Sequence, residues 1–266
     1  MKYLLSCWDV VAVRIREAEH ILLLIDYDGT LTPIVQRPEL ANLSTEVKEC
    51  LQELAGSPRL TLGIISGRTL GDLQKMVDIN GIIYVGNHGM EIEGPGVSFV
   101  NPAARQAVPL LHSLWKDISK AITDIKGARI DDKELTLSLH YRLVDEAQLG
   151  ELRCIFNGMV KTPLASGQIK ITPSKKAYDI RPAVDWDKGK AIEFIAQEIT
   201  GEIKPLMLFM GDDVTDYDGF RVADKNGGIS IYVGAPSAKH PAQCFLYSPG
   251  DVYQFLEILG ETLRSL

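Results

Sequence analysis

The sequence of 266 residues predicts an α/β fold, with a doubly wound parallel-sheet core and an inserted α+β domain. Two observations predict the core. A run that is apolar at every position, typical of a strand covered on both faces, occurs at residues 21–25, and residues 60–65 and 205–210 are largely apolar runs of the same kind. Stretches with helical spacing alternate with such runs, which is the βαβ pattern of a parallel sheet. A third observation predicts the insertion: around residues 134–141 apolar and polar residues alternate, as in a sheet with one solvated face.

The first part of the core is expected to follow the order strand, helix, strand, helix, strand. An amphipathic helix precedes it at the N-terminus. The strands are predicted at 21–25, 60–65 and 82–85, and the helices between them at 44–56 and 69–77. This order gives two consecutive βαβ units, which build one half of a doubly wound sheet.

The chain then changes character. The elements expected here are a hairpin at 90–100, a helix at 104–126, a strand at 134–141, a helix at 145–160 and strands near 168–172 and 176–181. After Pro182 the first pattern returns, with a helix at 188–199, strands at 205–210 and 229–233, and a helix at 251–264. We therefore predict a discontinuous core, 1–104 and 183–266, and an inserted domain at 105–182.

Composition and charge limit the classes of function. The chain is 45% hydrophobic and 24% charged, which is ordinary for a globular protein. Its net charge of −7 makes nucleic acids and anionic membranes poor partners. The four cysteines form no C-x-x-C pair, so a disulfide framework is not expected. No apolar run reaches the length of a membrane span, and we expect a cytoplasmic protein.

An acidic motif follows the apolar run at 21–25. Its sequence places Asp26 and Asp28 two residues apart, with Gly29 to allow a tight turn after them. Open α/β sheets bind ligands beyond the carboxyl ends of their strands. Strand alternation can place both carboxylates on one side, where they require a cation or a shared proton. Taken alone, the motif also fits a strand followed by an acidic turn.

A second acidic motif follows the run at 205–210. Its four carboxylates are Asp212, Asp213, Asp216 and Asp218. So much negative charge at a sheet edge is unfavourable unless something offsets it. A hard divalent cation with oxygen ligands is the natural partner, and carboxylates with water suit Mg²⁺. The alternative is a solvated acidic turn that caps the next helix.

Two further motifs supply a hydroxyl group and cations. Ser66 and Arg68 follow the strand at 60–65, where a hydroxyl, backbone amides and a fixed cation form an anion site. Lys188 begins a predicted helix and can neutralise a phosphate or hold a carboxylate ionised. Taken alone, the first also fits a polar turn between a strand and a helix, and the second a solvated lysine at the start of a helix. The set specifies the site, because the P-loop, G-x-S-x-G, H-E-x-x-H and zinc-binding patterns are absent from the sequence.

These motifs together resemble those of the haloacid dehalogenase (HAD) superfamily of phosphatases. Residues 26–31 (DYDGTL) resemble its first motif, Ser66 its second, Lys188 its third and residues 211–216 (GDDVTD) its fourth. The resemblance implies that Asp26 is the nucleophile, forming an aspartyl-phosphate, and that Asp28 is the general acid and base. Ser66 and Lys188 would hold the phosphoryl oxygens. Magnesium would be bound at Asp26, Asp28, Asp212 and Asp213.

Within that superfamily the chain is similar to the trehalose-6-phosphate phosphatases, from about residue 21 to 260. The motifs that carry this similarity are SGR at 66–68, GNHG at 86–89, LSLHYR at 137–142, Lys175 with DIRP at 179–182, and GDDVTD. The similarity implies hydrolysis of trehalose 6-phosphate, with the inserted domain acting as a cap that contacts the sugar. The implied substrate contacts are Arg68, His88, His140, Arg142, Lys175, Asp179 and Arg181. The chain has Asp179 and Tyr217 where that family usually has Glu.

Two alternatives remain at this point. The first is a related phosphatase acting on another phosphorylated sugar, such as sucrose phosphate or a glycosyl phosphoglycerate, and Asp179 is the reason to consider it. The second is a non-catalytic, phosphosugar-binding regulator. The complete set of acid, hydroxyl, lysine and metal-ligating residues argues against the regulator, which has no need of Asp28. In each case the expected partner is a small sugar phosphate.

Overall fold

The computed structural model of the chain describes residues 1–35, 37–174, 176–201, 203–237 and 240–266, apart from the side chain of residue 200. The chain divides into two compact units. The larger unit contains residues 1–99 and 186–266, and the smaller contains residues 100–185. The smaller unit therefore extends a few residues beyond the predicted insertion, 105–182, at both ends.

Local contacts explain why the smaller unit is wider than expected. At its start, helix Pro102–Gln106 leads into helix Val108–Ala121 and packs against it. At its end, the Ala183 N–H donates to the Gln168 carbonyl at 3.0 Å, and Lys170 Nζ donates to the Val184 carbonyl at 3.2 Å. Residues on both flanks are thus bonded to the smaller unit.

The regular elements are numbered here in chain order. The strands are β1 (Lys2–Tyr3), β2 (Ile21–Asp26), β3 (Leu60–Ile65), β4 (Ile83–Gly86), β5 (Glu91–Gly94), β6 (Val97–Val100), β7 (Arg129–Asp132), β8 (Leu137–His140), β9 (Ile169–Ser174), β10 (Ala177–Pro182), β11 (Leu206–Gly211), β12 (Ile229–Val233) and β13 (Cys244–Leu246). The helices are α1 (Trp8–Glu17), α2 (Thr45–Ala55), α3 (Leu70–Val77), α4 (Pro102–Gln106), α5 (Val108–Ala121), α6 (Leu149–Ala165), α7 (Lys188–Thr200), α8 (Tyr217–Lys225) and α9 (Pro249–Arg264).

The sheet of the larger unit has the order β1-β13-β12-β11-β2-β3-β4-β5-β6. The first seven strands in this order, from β1 at the edge to β4, all pair in parallel with their neighbours. Strand β5 is antiparallel to β4. From β2 the chain proceeds outward through β3 and β4, and from β11 it proceeds in the other direction through β12 and β13. The order therefore reverses between β2 and β11, which is where open α/β sheets form their ligand crevice.

Both faces of this sheet are covered. Strand β2 is buried along its whole length. Its residues Leu23 and Ile25 belong to a core that includes Phe255 of α9, whereas Leu22 and Leu24 belong to a second core that includes Ile192 of α7. Burying each such side chain stabilises the fold by roughly 1.5–3 kcal/mol. The predicted doubly wound α/β core is confirmed, and this two-sided burial explains why the strand sequences are so largely apolar.

The smaller unit has an antiparallel sheet of order β7-β8-β10-β9 in the described residues. Helices α5 and α6 pack on one face of it, with Leu114, Phe156 and Ile180 in a shared core. This is an α+β arrangement, as the alternating pattern of residues indicated.

The prediction of one helix at 104–126 was wrong. The structure has α4, a break at Ala107, and α5 ending at Ala121. Pro109 explains the break, because a proline inside a continuous helix lacks the N–H for its hydrogen bond and collides with the carbonyl four residues earlier, here that of Arg105.

The prediction of a strand at 134–141 was wrong in its extent. Strand β8 begins only at Leu137, because residues 133–136 form a turn in which the Lys133 N–H donates to the Thr136 carbonyl at 2.9 Å. That turn joins β8 to β7, which the sequence did not predict. Helix α8 and the short strands β1 and β13 were also missed.

None of the described helices combines the length and apolar character needed to cross a membrane.

Candidate active site

Asp26 is the last residue of β2, and it is only 6% exposed. Lys188, the first residue of α7, is 3% exposed and donates from Nζ to Asp26 Oδ1 at 2.6 Å. The same Nζ donates to Asp216 Oδ1 at 2.5 Å, and Asp216 is fully buried. One ammonium group thus bridges two buried carboxylates from opposite sides of the reversal point. This bridge brings the first, third and fourth sequence motifs together.

Asp216 also shapes the loop that follows β11. Its Oδ2 accepts hydrogen bonds from the backbone N–H groups of Asp212, at 3.0 Å, and Asp213, at 2.9 Å. Asp213 in turn accepts from the Val214 N–H with its Oδ1, at 2.6 Å. Because the carboxylates of Asp216 and Asp213 hold the loop, the carboxylate of Asp212 is fixed beside that of Asp26.

Three carboxylates form a group with the chemistry of a cation site. Asp26, Asp212 and Asp216 each offer an oxygen atom, and these atoms lie within 4.8 Å of one another. With the ammonium of Lys188 included, three negative charges and one positive charge leave a net charge of −2 when all are ionised. Hard divalent cations prefer such oxygen donors. The donor set therefore fits a divalent metal ion.

Electrostatics supports this assignment. Burial, the largest influence on Asp26, raises its pKa, and the negative charges of Asp216 and Asp212 act in the same direction. The attraction of Lys188 opposes them. Burial alone would lower the pKa of Lys188, but the combined attraction of Asp216 and Asp26 outweighs it and raises that pKa. Lys188 is therefore a fixed positive charge, and Asp26 depends on nearby positive charge to remain ionised.

The carboxylate of Asp28 is not one of these three and has partners of its own. Strand β2 ends at Asp26, and the turn that follows passes through Gly29 at φ +96°. The carboxylate of Asp28 accepts two hydrogen bonds from Arg68, at 2.8 Å from Nε and 2.5 Å from Nη2. Ser66 Oγ lies 3.4 Å from Asp28 Oδ2. The Asp28 side chain is 43% exposed, so it remains open to a ligand.

Arg68, predicted as a substrate contact, is thus the partner of Asp28. Its guanidinium group also donates to the Pro38 carbonyl at 2.8 Å and lies over the Tyr27 ring, 5.4 Å from the centroid. Its backbone N–H donates to Ser66 Oγ at 3.2 Å. Arg68 therefore ties the turn after β3 to the turn after β2.

His88 lies beside that turn, within the larger unit. It is 7% exposed, and its backbone has φ 58°, which is uncommon for a residue with a side chain. The His88 N–H donates to the Ser66 carbonyl at 2.9 Å. Its imidazole ring packs so closely on Gly67 that a Cβ there would overlap it. The GNHG segment is therefore part of the same cluster as the Ser66 turn.

The predicted sugar contacts of the smaller unit lie partly on one face of its sheet. His140 Nε2 is 3.0 Å from Asp131 Oδ2. Asp179 accepts a hydrogen bond from Ser138 Oγ at 2.5 Å, and Arg181 Nη2 lies 4.0 Å from Asp179 Oδ2. Strand pairing places Asp179 opposite Ser138, which is itself opposite Asp131.

Two other predicted contacts differ from these. Arg142 is exposed in the turn after β8. Lys175 lies outside the described residues.

Sequence reasoning missed Asp131, because β7 was not recognised as a strand. The i, i+2 spacing of Arg129 and Asp131, whose side chains are 2.9 Å apart, is the signal that would have placed them together.

Comparisons with known proteins identify the family to which the chain belongs. Residues 24–249 match the family model described as trehalose-phosphatase. A probable trehalose-phosphate phosphatase 4 of Oryza sativa subsp. japonica is 32% identical over 268 residues, covering 98% of this chain and 71% of the relative. The solved C-terminal domain of C. albicans trehalose-6-phosphate phosphatase is 26% identical, with a TM-score of 0.83, covering 95% of this chain and 96% of that one.

A haloacid dehalogenase-like hydrolase from Bacteroides thetaiotaomicron is 17% identical, with a TM-score of 0.62, and covers 90% of this chain and 99% of its own. At that identity the likeness concerns the fold, and it agrees with the HAD-like core predicted from the motifs. Since the family match spans most of the residues and includes Asp26, Ser66, Lys188 and Asp212, the chain belongs to the trehalose-phosphatase family.

Proposed function

We propose that this chain is a magnesium-dependent phosphatase that hydrolyses trehalose 6-phosphate to trehalose and phosphate. The observation that carries the proposal is the buried carboxylate of Asp26 at the reversal point of the sheet, bonded to Lys188 and close to Asp212. Family membership supports a trehalose phosphate as the substrate, and the name of the C. albicans relative specifies trehalose 6-phosphate. Magnesium agrees with the all-oxygen donor set.

In the proposed reaction, Asp26 is the nucleophile. One of its oxygens attacks phosphorus, the bond from phosphorus to the sugar oxygen breaks, and Asp28, which enters this step as the carboxylic acid, gives that oxygen its proton. Water then attacks the phosphorus of the aspartyl-phosphate, Asp28 takes a proton from the water, and the bond to Asp26 breaks. Phosphate leaves and both carboxyl groups return to their starting states. Asp28 is suited to this role because its side chain is half-exposed and oriented by Arg68.

Lys188 and Ser66 have the second role, that of stabilising the phosphoryl oxygens. Lys188 Nζ donates to Asp26 Oδ1, so a phosphoryl group arriving at Asp26 comes within its reach. Ser66 Oγ lies 3.4 Å from Asp28 Oδ2, beside the proposed acid and base. Fixed donors of this kind are effective because they need no rearrangement as the charge moves.

Asp26 and Asp212, with the backbone carbonyl of Asp28, would hold the metal ion, which when bound offsets the repulsion between the nucleophile and the phosphate dianion. Asp216 is the residue that keeps Asp212 in place, since both of its oxygens already have donors. Asp213 has a similar supporting role through its bond to the Val214 N–H.

The smaller unit supplies the sugar contacts in this proposal, with the larger unit as the catalytic core. The proposed contacts are His140, Arg142, Lys175, Asp179 and Arg181, with Arg68 and His88 at the margin of the core. Asp179 is one methylene shorter than the usual family Glu, and Ser138 holds one of its oxygens. We assign these residues to recognition of the sugar rather than to chemistry.

Phosphate release from a panel of sugar phosphates tests the substrate and the cofactor. With Mg²⁺ present, trehalose 6-phosphate is expected to give the highest kcat/KM, above sucrose phosphate and a glycosyl phosphoglycerate. Excess EDTA should abolish release, and added Mg²⁺ should restore it, because the carboxylate group needs a cation. A higher kcat/KM on another sugar phosphate would reassign the substrate. Full activity in EDTA would remove the metal from the mechanism.

Gly29→Ala is expected to disturb the site from the backbone. Gly29 has φ +96°, and a Cβ there would overlap the Asp212 carboxylate. Displacement of a catalytic group by about 1 Å can lower kcat by about 10²-fold, and we expect a loss of that order. Gly81→Ala is the matched control, since Gly81 has φ +80° with nothing within 4 Å of its added Cβ.

Gly81→Ala should show only the conformational cost of a left-handed residue, roughly 1–2 kcal/mol, with kcat unchanged. Urea denaturation and steady-state kinetics on both variants provide the comparison. Equal effects on kcat would show that contact with Asp212 has no part in the loss.

A further inference from the structure

Trp186 lies at the boundary between the two units in the chain, close in sequence to Lys188. It is the first residue of the larger unit after the smaller one, and it precedes Lys188 by two positions. Its indole Nε1–H donates to the Gly89 carbonyl at 2.7 Å. Its ring stacks on Phe99, the last residue before the smaller unit, with centroids 4.9 Å apart and planes at 28°. None of the roles proposed above uses this side chain.

The acceptor of this hydrogen bond belongs to the segment that is bonded to the Ser66 turn. The His88 N–H donates to the Ser66 carbonyl at 2.9 Å, and the Asn87 N–H donates to the Arg68 carbonyl at 2.7 Å. A displacement of Gly89 would therefore be transmitted through two backbone hydrogen bonds to the turn that carries the Ser66 hydroxyl.

The donor belongs to the segment that positions Lys188. Asp187 lies between Trp186 and Lys188 in the chain, and its side chain caps helix α7 by accepting a hydrogen bond from the Lys190 N–H at 2.9 Å. Gly89 also packs directly on this helix start, because a Cβ on it would lie 2.9 Å from Ala191 Cβ and 3.1 Å from the Asp187 carbonyl oxygen. Two close contacts and one partly buried hydrogen bond from the indole thus join the GNHG segment to the start of α7.

We propose that Trp186 is a positioning residue, which fixes the distance between Ser66 and Lys188 through the hydrogen bond from its indole N–H to Gly89. The inference rests on the proposed function, since it takes those two residues as the ones that hold the phosphoryl oxygens. Phe99 and Phe194, whose rings are 4.9 and 6.2 Å from that of Trp186, orient the indole for this bond. Trp186 itself touches no reacting atom in this scheme.

Trp186→Phe tests the proposal, because phenylalanine keeps an aromatic ring in the stack and lacks the N–H. The affinity for inorganic phosphate, measured by calorimetry with Mg²⁺ present, is expected to fall about tenfold, which corresponds to the upper end of the net contribution of one hydrogen bond. In kinetic assays kcat should fall by a similar factor, while KM for the sugar phosphate changes less. A purely structural role would lower the melting temperature and leave phosphate affinity unchanged.

Trp115→Phe is the matched control. Trp115 also donates its indole N–H to a backbone carbonyl, that of Ile130 at 3.2 Å, but it does so inside the smaller unit. This variant should lose similar stability and keep the wild-type phosphate affinity. Phosphate affinity within twofold of wild type in Trp186→Phe would overturn the proposal, as would equal losses of affinity in the two variants.

A second variant covers the case in which Trp186→Phe does not fold. Phe99→Leu removes the stacking partner and keeps the indole N–H, so a smaller loss of phosphate affinity, about threefold, is expected. An unchanged affinity in this variant would then contradict the proposal.

Wild-type protein that binds phosphate but does not hydrolyse trehalose 6-phosphate would refute the proposed substrate alone. Wild-type protein that neither binds phosphate nor releases it from any substrate would contradict both.

Discussion

Asp26→Asn is expected to lower kcat by about 10⁴-fold or more, the order seen when a catalytic nucleophile is removed. The asparagine amide has nearly the same shape as the carboxylate but is a very poor nucleophile, so no covalent intermediate can form. Steady-state phosphate release with trehalose 6-phosphate and Mg²⁺ is the measurement. A kcat within tenfold of wild type would exclude Asp26 as the nucleophile.

The same substitution should leave the protein folded. Asp26 is a buried carboxylate close to those of Asp216 and Asp212, and burial raises its pKa. Replacing it by a neutral amide removes an unfavourable buried charge, while Lys188 keeps its bond to Asp216. The melting temperature without added metal is therefore expected to equal or exceed that of the wild type. Asp218→Asn is the control, since Asp218 is half-exposed and paired with Arg221, and the kcat of this variant should be unchanged.

Lys188→Met is expected to lower both stability and activity. Lys188 is 3% exposed, and its Nζ lies 2.6 Å from Asp26 and 2.5 Å from Asp216. Removing one partner of a buried ion pair leaves an uncompensated charge and costs about 3–5 kcal/mol. Urea denaturation at neutral pH measures this loss as a reduced free energy of unfolding. Turnover should fall as well, because the phosphoryl oxygens lose a fixed cation.

Lys48→Met is the control for the stability measurement. The ion pair of Lys48 with Asp78 has a similar length, 2.8 Å, but the two side chains are 32% and 79% exposed. Exposed pairs contribute about 0–1 kcal/mol, so this variant should lose no more than that. If Lys188→Met costs no more than Lys48→Met, the account of the buried bridge is contradicted.

The parts of the fold that the sequence predicted well are those with a strong physical pattern. Strands β3 and β12 have the predicted bounds, 60–65 and 229–233. Parallel strands with helices on both faces must be apolar at nearly every position, and few other structures produce such runs. The positions of Asp26 and Asp212 followed from the same pattern, because acidic residues directly after buried strands lie at the carboxyl edge of the sheet.

The parts that the sequence did not predict depend on contacts through space. Strand β7 (Arg129–Asp132) has three charged residues out of four, so its pattern does not resemble a strand; pairing with β8 makes it one. The partner of Asp28 could not be read from the chain either, since Arg68 lies forty residues away. The role of Asp216 as the second partner of Lys188 likewise requires the fold, because nothing in GDDVTD distinguishes its carboxylates.

Trapping of the covalent intermediate tests the central claim most directly. During turnover of trehalose 6-phosphate with Mg²⁺, the enzyme is quenched in acid and reduced with borohydride, which converts an aspartyl-phosphate into homoserine. Peptide mass spectrometry then locates the altered residue. We predict homoserine at position 26 in the wild type and none in the Asp26→Asn protein. Modification at any other aspartate, with residue 26 unchanged, would contradict the assignment of Asp26 as the nucleophile.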